Sequence, residues 1–162
     1  MNLKRIQSIY NYVRDEILFG YNSDDYIPAS KVLSDGYGQC NTKGTLFMAL
    51  LRACDIPCRI HGFTIDKKLQ KGAMTGIVYH SAPKNILHSW VEVYLENRWY
   101  EIEGFILDKA YLKQLQNRFT KCTGPFCGYG IAVKNFKHPI IDFNRIIPIF
   151  KVKELLKTLV SM

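Results

Sequence analysis

The feature that most constrains this chain is a glycine-rich turn, Gly36-Tyr37-Gly38-Gln39, that leads directly into an apolar stretch beginning at Cys40. The apolar residues that follow recur at helical spacing and predict a buried central helix over residues 41–54: Leu46, Phe47, Leu50 and Leu51. The turn therefore delivers one cysteine to the start of a core helix. Because a helix N-terminus carries about half a positive charge, it favours a thiolate over a thiol. We therefore interpret Cys40 as a nucleophile with a lowered pKa.

Beyond Pro57 the pattern changes to that of an antiparallel sheet. Alternating or β-branched runs predict strands over residues 58–66, 74–80, 85–95 and 99–103. The clearest run places its odd-numbered residues from Ser89 on one face of the strand and its even-numbered residues from His88 on the other. A hairpin turn at Glu96-Asn97 or at Asn97-Arg98 joins the last two strands.

Helical patterns lie on both sides of these strands in the sequence. They cover residues 2–19, 30–33, 109–117 and 151–160, with Ser30 and Asp108 as caps. The order of helices, meander and helices predicts an α+β fold in which the N-terminal and central helices pack on an antiparallel β-sheet. A chain of 162 residues is long enough for one domain with a core, so we expect a single domain over residues 1–162.

His88 and Glu103 fall on the same face of the predicted hairpin for either turn. With the first of the two turns, Glu103 lies opposite Trp90 and diagonal to His88, about 7–8 Å away between backbones. A glutamate side chain can span that gap, whereas the second turn moves the two residues farther apart. Together with Cys40, these residues form a candidate Cys-His-acid site for nucleophilic catalysis.

Three blocks of this sequence resemble the transglutaminase-like superfamily. The first is Gly38-Gln39-Cys40, followed by the apolar helix and by Ile56-Pro57-Cys58-Arg59. The second, His88-Ser89-Trp90-Val91-Glu92, is similar to the strand that carries the histidine in that family. The third, Trp99-Tyr100-Glu101-Ile102-Glu103, is similar to the following strand. The resemblance covers about residues 30–106 in the family's order and spacing and leaves residues 107–162 as a C-terminal extension.

The resemblance implies a papain-like core and assigns roles to three residues. Cys40 takes the place of the nucleophile, and His88 takes that of the general base and acid. Glu103 takes the place of an aspartate that usually orients the histidine. Glutamate departs from the family pattern, since it keeps the carboxylate but is longer by one methylene.

Three further residues are candidates for oxyanion or substrate binding. The backbone N–H of Cys40 would supply one oxyanion donor, and Gln39 or Tyr37 would supply a second because both are near in sequence. Trp90 would form a wall of the site, although a tryptophan on such a strand also packs against a core.

The composition limits the partners that we expect. Residues 1–103 carry 12 Lys and Arg against 11 Asp and Glu, whereas residues 104–162 carry 10 against 3. We attribute this basic C-terminal third to solvated surface and expect no nucleic-acid partner, since no groove-reading motif accompanies it. No apolar run approaches the length of a membrane span, so we expect no membrane partner.

Cysteine usage bears on the compartment and on cofactors. Five cysteines without a secretory leader predict free thiols in a cytoplasmic protein. Cys122 and Cys127 flank a turn that could instead be closed by a disulfide or, with His138, bind a metal. Two loop thiols remain our interpretation, and we expect no metal and no cofactor.

The leading hypothesis is a cysteine-dependent acyl-transfer enzyme that hydrolyses a peptide or amide bond of a peptide or protein substrate through a thioester. One alternative is a protein-glutamine deamidase or transglutaminase. Another is a non-catalytic binding module that retains the fold. The sequence leaves the substrate and the oligomeric state open.

Overall fold

The computed structural model of the chain describes residues 2–139, so the helix expected over residues 151–160 lies outside the described residues. The described residues form two units. The first contains residues 2–62 and 89–112, and the second contains residues 63–88 and 113–139.

In the first unit, helix α1 (Asn2–Asp15) ends earlier than the predicted residue 19, and Leu18–Phe19 forms a short strand β1 instead. A buried lysine from another helix accounts for this end. Lys43 Nζ donates hydrogen bonds to the carbonyl oxygens of Ile17 at 2.6 Å and of Arg14 at 3.3 Å. Carbonyls at the end of a helix lack partners within it, and the lysine supplies one here.

Helix α2 (Ala29–Asp35) begins after Pro28 rather than at the predicted cap Ser30, and it ends at Gly36, whose φ is +71°. Such a left-handed residue after a helix is typically glycine. Strand β2 (Tyr37–Gly38) then pairs in parallel with β1. Helix α3 (Cys40–Ala53) follows at once and is the helix that the sequence predicts over residues 41–54.

The sheet contains β3 (Cys58–Asp66), β4 (Asn85–Leu95) and β5 (Arg98–Ile102) in the order β3-β4-β5. Strands β4 and β5 are antiparallel, with Leu95 opposite Arg98, so Glu96-Asn97 is the hairpin turn. Both turn residues have positive φ, at +50° and +64°, as a type I′ turn requires. Strand β5 ends one residue before Glu103, which the sequence had placed within it.

Strands β3 and β4 are also antiparallel. The Tyr94 N–H donates to the Pro57 carbonyl at one end of the pair, and the Lys67 N–H donates to the Lys84 carbonyl at the other. In the first unit, α3 packs against the inward face of β4, since a Cβ added at Gly44 would lie 3.7 Å from Val91. The core of this unit is fully buried and mostly aliphatic: Ile6, Val13, Leu46, Phe47, Leu51, Val91, Val93, Ile102 and Phe105.

The second unit contains a 3₁₀ helix (Lys67–Gln70), helix α4 (Gly76–Ser81) and most of helix α5 (Lys109–Arg118). The predicted strand over residues 74–80 is therefore wrong. The Lys67 ammonium instead binds the end of α4, donating to the carbonyls of Tyr79 and Ala82 at 2.8 and 2.7 Å. The predicted loop over residues 120–130 also contains a strand, β6 (Phe126–Gly128), which pairs with β7 (Ile131–Val133).

The prediction of an α+β fold with an antiparallel sheet is confirmed. Within residues 2–139, every helix is too short or too polar to cross a lipid bilayer.

Candidate functional site

Cys40 is the first residue of α3 and is half-buried. The backbone N–H groups of Ser89, Asn41 and Cys40 itself are directed at its sulfur and lower its pKa. Burial has the larger effect and raises the pKa of the Cys40 thiol to about 11. The lowered pKa that we expected from the helix terminus is therefore wrong for the resting protein, because desolvation of the thiolate outweighs the backbone dipoles.

The side chain of Asn41 connects Cys40 to the sheet. Its Oδ1 accepts a hydrogen bond from Ser89 Oγ at 2.7 Å and lies 3.6 Å from Cys40 Sγ, which donates to it. Ser89 is on β4, and its side chain faces α3. The neighbouring residue thus supplies an acceptor that suits the thiol form of the sulfur.

The carboxylate of Asp25 joins the two residues that flank Cys40. Its Oδ1 accepts from Gln39 Nε2 at 2.6 Å, and its Oδ2 accepts from Asn41 Nδ2 at 2.9 Å. Gln39 Oε1 also accepts from the backbone N–H of Asn22 at 2.7 Å. The Gln39 amide therefore fixes the loop before α2 to the start of α3. A role as an oxyanion donor would come in addition to these contacts.

Tyr37 packs on the glycine at position 20, where an added Cβ would lie 3.0 Å from the ring. The structure thus gives Tyr37 a packing role in the β1–β2 pair. Gly38 does not have a positive φ, so its requirement is steric. A Cβ at Gly38 would lie 2.6 Å from Thr42 Oγ1, so the turn before Cys40 leaves no room for a side chain.

Trp90 is buried on the other face of β4 and stacks on His61, with ring centroids 4.4 Å apart and planes at 12°. Its Nε1 donates to Glu92 Oε1 at 3.4 Å. Arg59 Nε donates to the other oxygen of Glu92 at 2.5 Å, and its guanidinium lies 4.1 Å from the Trp99 ring centroid. In this surrounding Trp90 is a packing residue.

Glu103 follows the end of β5 and is half-buried. Burial, together with the nearby charge of Glu101, raises the pKa of its carboxyl to about 8. The carboxyl of the resting protein is therefore largely protonated at neutral pH.

His88 belongs to the second unit and is buried. Its ring meets Phe63 edge to face at 5.2 Å, and burial lowers its pKa to about 4. Its Nδ1 is buried without a hydrogen-bond partner among the residues that the structure describes. The imidazole is therefore neutral in the resting protein at pH 7.

The remaining cysteines are free thiols. Cys122 and Cys127 form no disulfide, and Cys58 Sγ contacts the carbonyl of Met48 at 3.6 Å. Among residues 2–139 no group of three or more His, Cys, Asp or Glu side chains could hold a metal ion.

Sequence reasoning missed Asp25, Asn41, Ser89 and Lys43. Asn41 and Ser89 were marked only by their positions, one beside the cysteine and one on the inward face of β4. Lys43 is fully buried on α3, and burial lowers its pKa to about 7. Asp25 lies in a polar loop with no distinguishing pattern, so no signal could have found it.

Comparisons with known proteins agree with the three sequence blocks. A family model described as the transglutaminase-like superfamily matches residues 1–104. The chain is 29% identical over 96 residues to the uncharacterized protein YebA of Bacillus subtilis, a match that covers 58% of this chain and 13% of that protein. It also resembles a crystal structure from Cytophaga hutchinsonii named "Putative Cysteine Protease", with 21% identity and a TM-score of 0.44, over 67% of this chain and 32% of that one. The chain thus spans a small part of either relative.

Proposed function

The chain belongs to the transglutaminase-like superfamily, and on that premise we propose that it is a cysteine-dependent acyl-transfer enzyme that hydrolyses a peptide or amide bond through a thioester. The observation that carries the proposal is the setting of Cys40. Its sulfur lies at the start of a core helix, where three backbone N–H groups are directed at it. Negative charge that forms on or beside this sulfur would be stabilised by those dipoles.

The proposed reaction begins with a neutral thiol. His88 removes the proton from Cys40 as the sulfur attacks the substrate carbonyl, and a C–S bond forms. The C–N bond then breaks, and the proton passes from His88 to the departing amine. A water molecule next cleaves the thioester, leaving a carboxylic acid and restoring the thiol. Burial lowers the pKa of His88 to about 4, so its imidazole is neutral at pH 7 and can take up a proton, but the same lowering makes it a weaker base than an ordinary histidine.

Glu103 is the proposed orienting residue for His88. Nδ1 of His88 has no hydrogen-bond partner among the described residues, so the proposed contact with Glu103 would have to form when substrate binds. Since the pKa of Glu103 is raised to about 8, this carboxyl would have to lose its proton to stabilise an imidazolium. We therefore expect the activity to increase between pH 7 and pH 9.

Trapping of the thioester tests the proposal. The full chain is incubated with a pool of short peptides bearing terminal amides and glutamine side chains, in the presence of hydroxylamine, and hydroxamate products are measured. We expect products from the unchanged protein and from the matched control Cys54→Ala, which removes a thiol at the other end of the same helix. We expect a loss of about 10⁴-fold in Cys40→Ala and about 10²-fold or more in His88→Ala.

Without hydroxylamine, carboxylic acid products support hydrolysis, whereas products joined to an added amine favour the transglutaminase alternative. Product formation that persists in Cys40→Ala would contradict the proposal. Peptide binding without any product would favour the non-catalytic module. We further propose a peptide or protein as the substrate and a reducing, cytoplasmic setting, which the five free thiols support.

A further inference from the structure

Asp25 occupies an unusual position for an exposed loop residue, since its two oxygens bind the side chains on either side of the nucleophile. The partners are Gln39 Nε2 at 2.6 Å and Asn41 Nδ2 at 2.9 Å. One carboxylate thus spans the segment that carries Cys40. The contact with Asn41 has a chemical consequence for the sulfur.

An ionised carboxylate only accepts hydrogen bonds, so it can bind only the NH₂ end of an amide. The Nδ2 of Asn41 must therefore point at Asp25, and its Oδ1 must point the other way. On that side Oδ1 meets two donors, Ser89 Oγ at 2.7 Å and Cys40 Sγ at 3.6 Å. A flipped amide would instead present N–H groups to the sulfur and would favour a thiolate.

We propose that Asp25 is a positioning residue for the nucleophile of the proposed function: it fixes the Asn41 amide with its acceptor toward Cys40 and so keeps the resting sulfur protonated. The nucleophile then becomes reactive only when a base takes its proton. Such a device protects an accessible thiol from oxidation and alkylation between turnovers.

The electrostatics of the first unit agree with this geometry. The negative charge of Asp25 raises the pKa of Cys40 further, in addition to the effect of burial. Among the described residues, Tyr21 also interacts with the sulfur, and burial raises the pKa of Tyr21 to about 12, so it is neutral at physiological pH. Asp25 thus acts on Cys40 directly through its charge as well as through the Asn41 amide.

The test compares the rate of alkylation of Cys40 by iodoacetamide at pH 8, measured by peptide mass, in the full chain. In Asp25→Asn we expect about threefold faster alkylation. A fall of one unit in the thiol pKa gives about tenfold more thiolate, and the lower nucleophilicity of a less basic sulfur reduces that gain. The matched control is Asp24→Asn, which removes the neighbouring charge and should leave the rate unchanged.

A double-mutant cycle separates the proposed role from mere loosening of the loop. In an Asn41→Ala background, Asp25→Asn should accelerate alkylation by less than about 1.5-fold, since only the direct effect of the Asp25 charge on the sulfur remains once the Asn41 amide is absent. Asn41→Ser replaces Asn41→Ala if the latter does not fold by circular dichroism. Equal acceleration in both backgrounds, or no acceleration in Asp25→Asn, would overturn the proposal. Alkylation requires no turnover, so this result is independent of whether peptide hydrolysis is found.

Discussion

The side-chain nitrogen of Lys43 lies 2.6 Å from the carbonyl oxygen of Ile17 and 2.9 Å from that of Ile106. Lys43 lies on the first turns of α3, and its own N–H closes the first hydrogen bond of that helix by donating to Gln39 at 2.8 Å. One buried lysine therefore fixes the start of α3 to the end of α1 and to the chain beyond β5.

Replacing Lys43 by methionine is expected to reduce the free energy of unfolding by about 2–3 kcal/mol. The side chain keeps its length, but the buried carbonyls it binds lose their donor. Urea denaturation measures this change. The control is Lys31→Met, which removes an exposed lysine paired with Asp35 and should leave stability nearly unchanged. Equal effects of the two substitutions would show that the buried contacts contribute nothing.

Lys43 should also make stability depend on pH. Burial lowers its pKa from 10.5 to about 7 in the folded protein. Between these values the unfolded chain binds a proton that the folded protein does not, so stability from this group rises with pH. The stability difference between the unchanged protein and Lys43→Met should therefore widen by about 1–2 kcal/mol from pH 7 to pH 9. Urea denaturation at both pH values checks this. If the stability difference between the two proteins does not change with pH, the pKa of Lys43 is not lowered.

Glu103→Gln should increase stability and reduce activity. The raised pKa of Glu103, about 8 against an ordinary 4.5, means that the folded protein retains a proton that the unfolded chain releases. Stability from this group is present below pH 4.5 and is lost as pH rises to 8. Glutamine should therefore stabilise the protein by about 2 kcal/mol at pH 8 and by almost nothing at pH 4.5. Hydroxamate formation should fall at least about tenfold if Glu103 orients His88.

Gly38→Ala should destabilise the turn before the nucleophile by about 1–3 kcal/mol. The new Cβ would lie 2.6 Å from Thr42 Oγ1 and 3.0 Å from Lys43 Cγ, so the helix start would have to shift. The matched change within α3, Gly44→Ala, meets only an ordinary contact with Val91 and should stabilise the helix by up to about 1 kcal/mol. Thermal unfolding should show a lower unfolding temperature for Gly38→Ala and a higher one for Gly44→Ala. A change in the same direction in both variants would contradict the steric explanation.

The hairpin turn offers a stabilising substitution. Glu96 has a φ of +50°, a conformation that asparagine tolerates better than glutamate. Glu96→Asn should therefore raise the free energy of unfolding by about 0.5 kcal/mol. Asn97→Ala, at a φ of +64°, should instead lower the free energy of unfolding. Denaturant titration of both variants measures the two changes.

Local patterns predicted the elements that contain the site residues. Strands β3 and β4 have the predicted bounds, because Pro57 and the alternation of side chains define them. The segment around Ile77 could not be predicted in this way. Its β-branched residues suggested a strand, yet Ile77 is 86% exposed on α4, whose end is held by the Lys67 ammonium.

For the candidate site, sequence reasoning predicted the position of Cys40 but not its electrostatic state. The helix terminus was visible in the sequence, whereas the burial that raises the thiol pKa depends on the packing of the unit. Contacts such as Asp25 with Asn41 join residues 16 positions apart without any periodic pattern. Their identification required coordinates.

The positions of the Lys43 partners in the sequence determine when each contact can form during synthesis of the chain. Arg14 and Ile17 precede the lysine by 29 and 26 residues, but Ile106 follows it by 63. A nascent chain shorter than 106 residues cannot form all three of these hydrogen bonds from Lys43. The helix that begins at Cys40 therefore gains its last contact through Lys43 only after all strands of the three-stranded sheet have been synthesised.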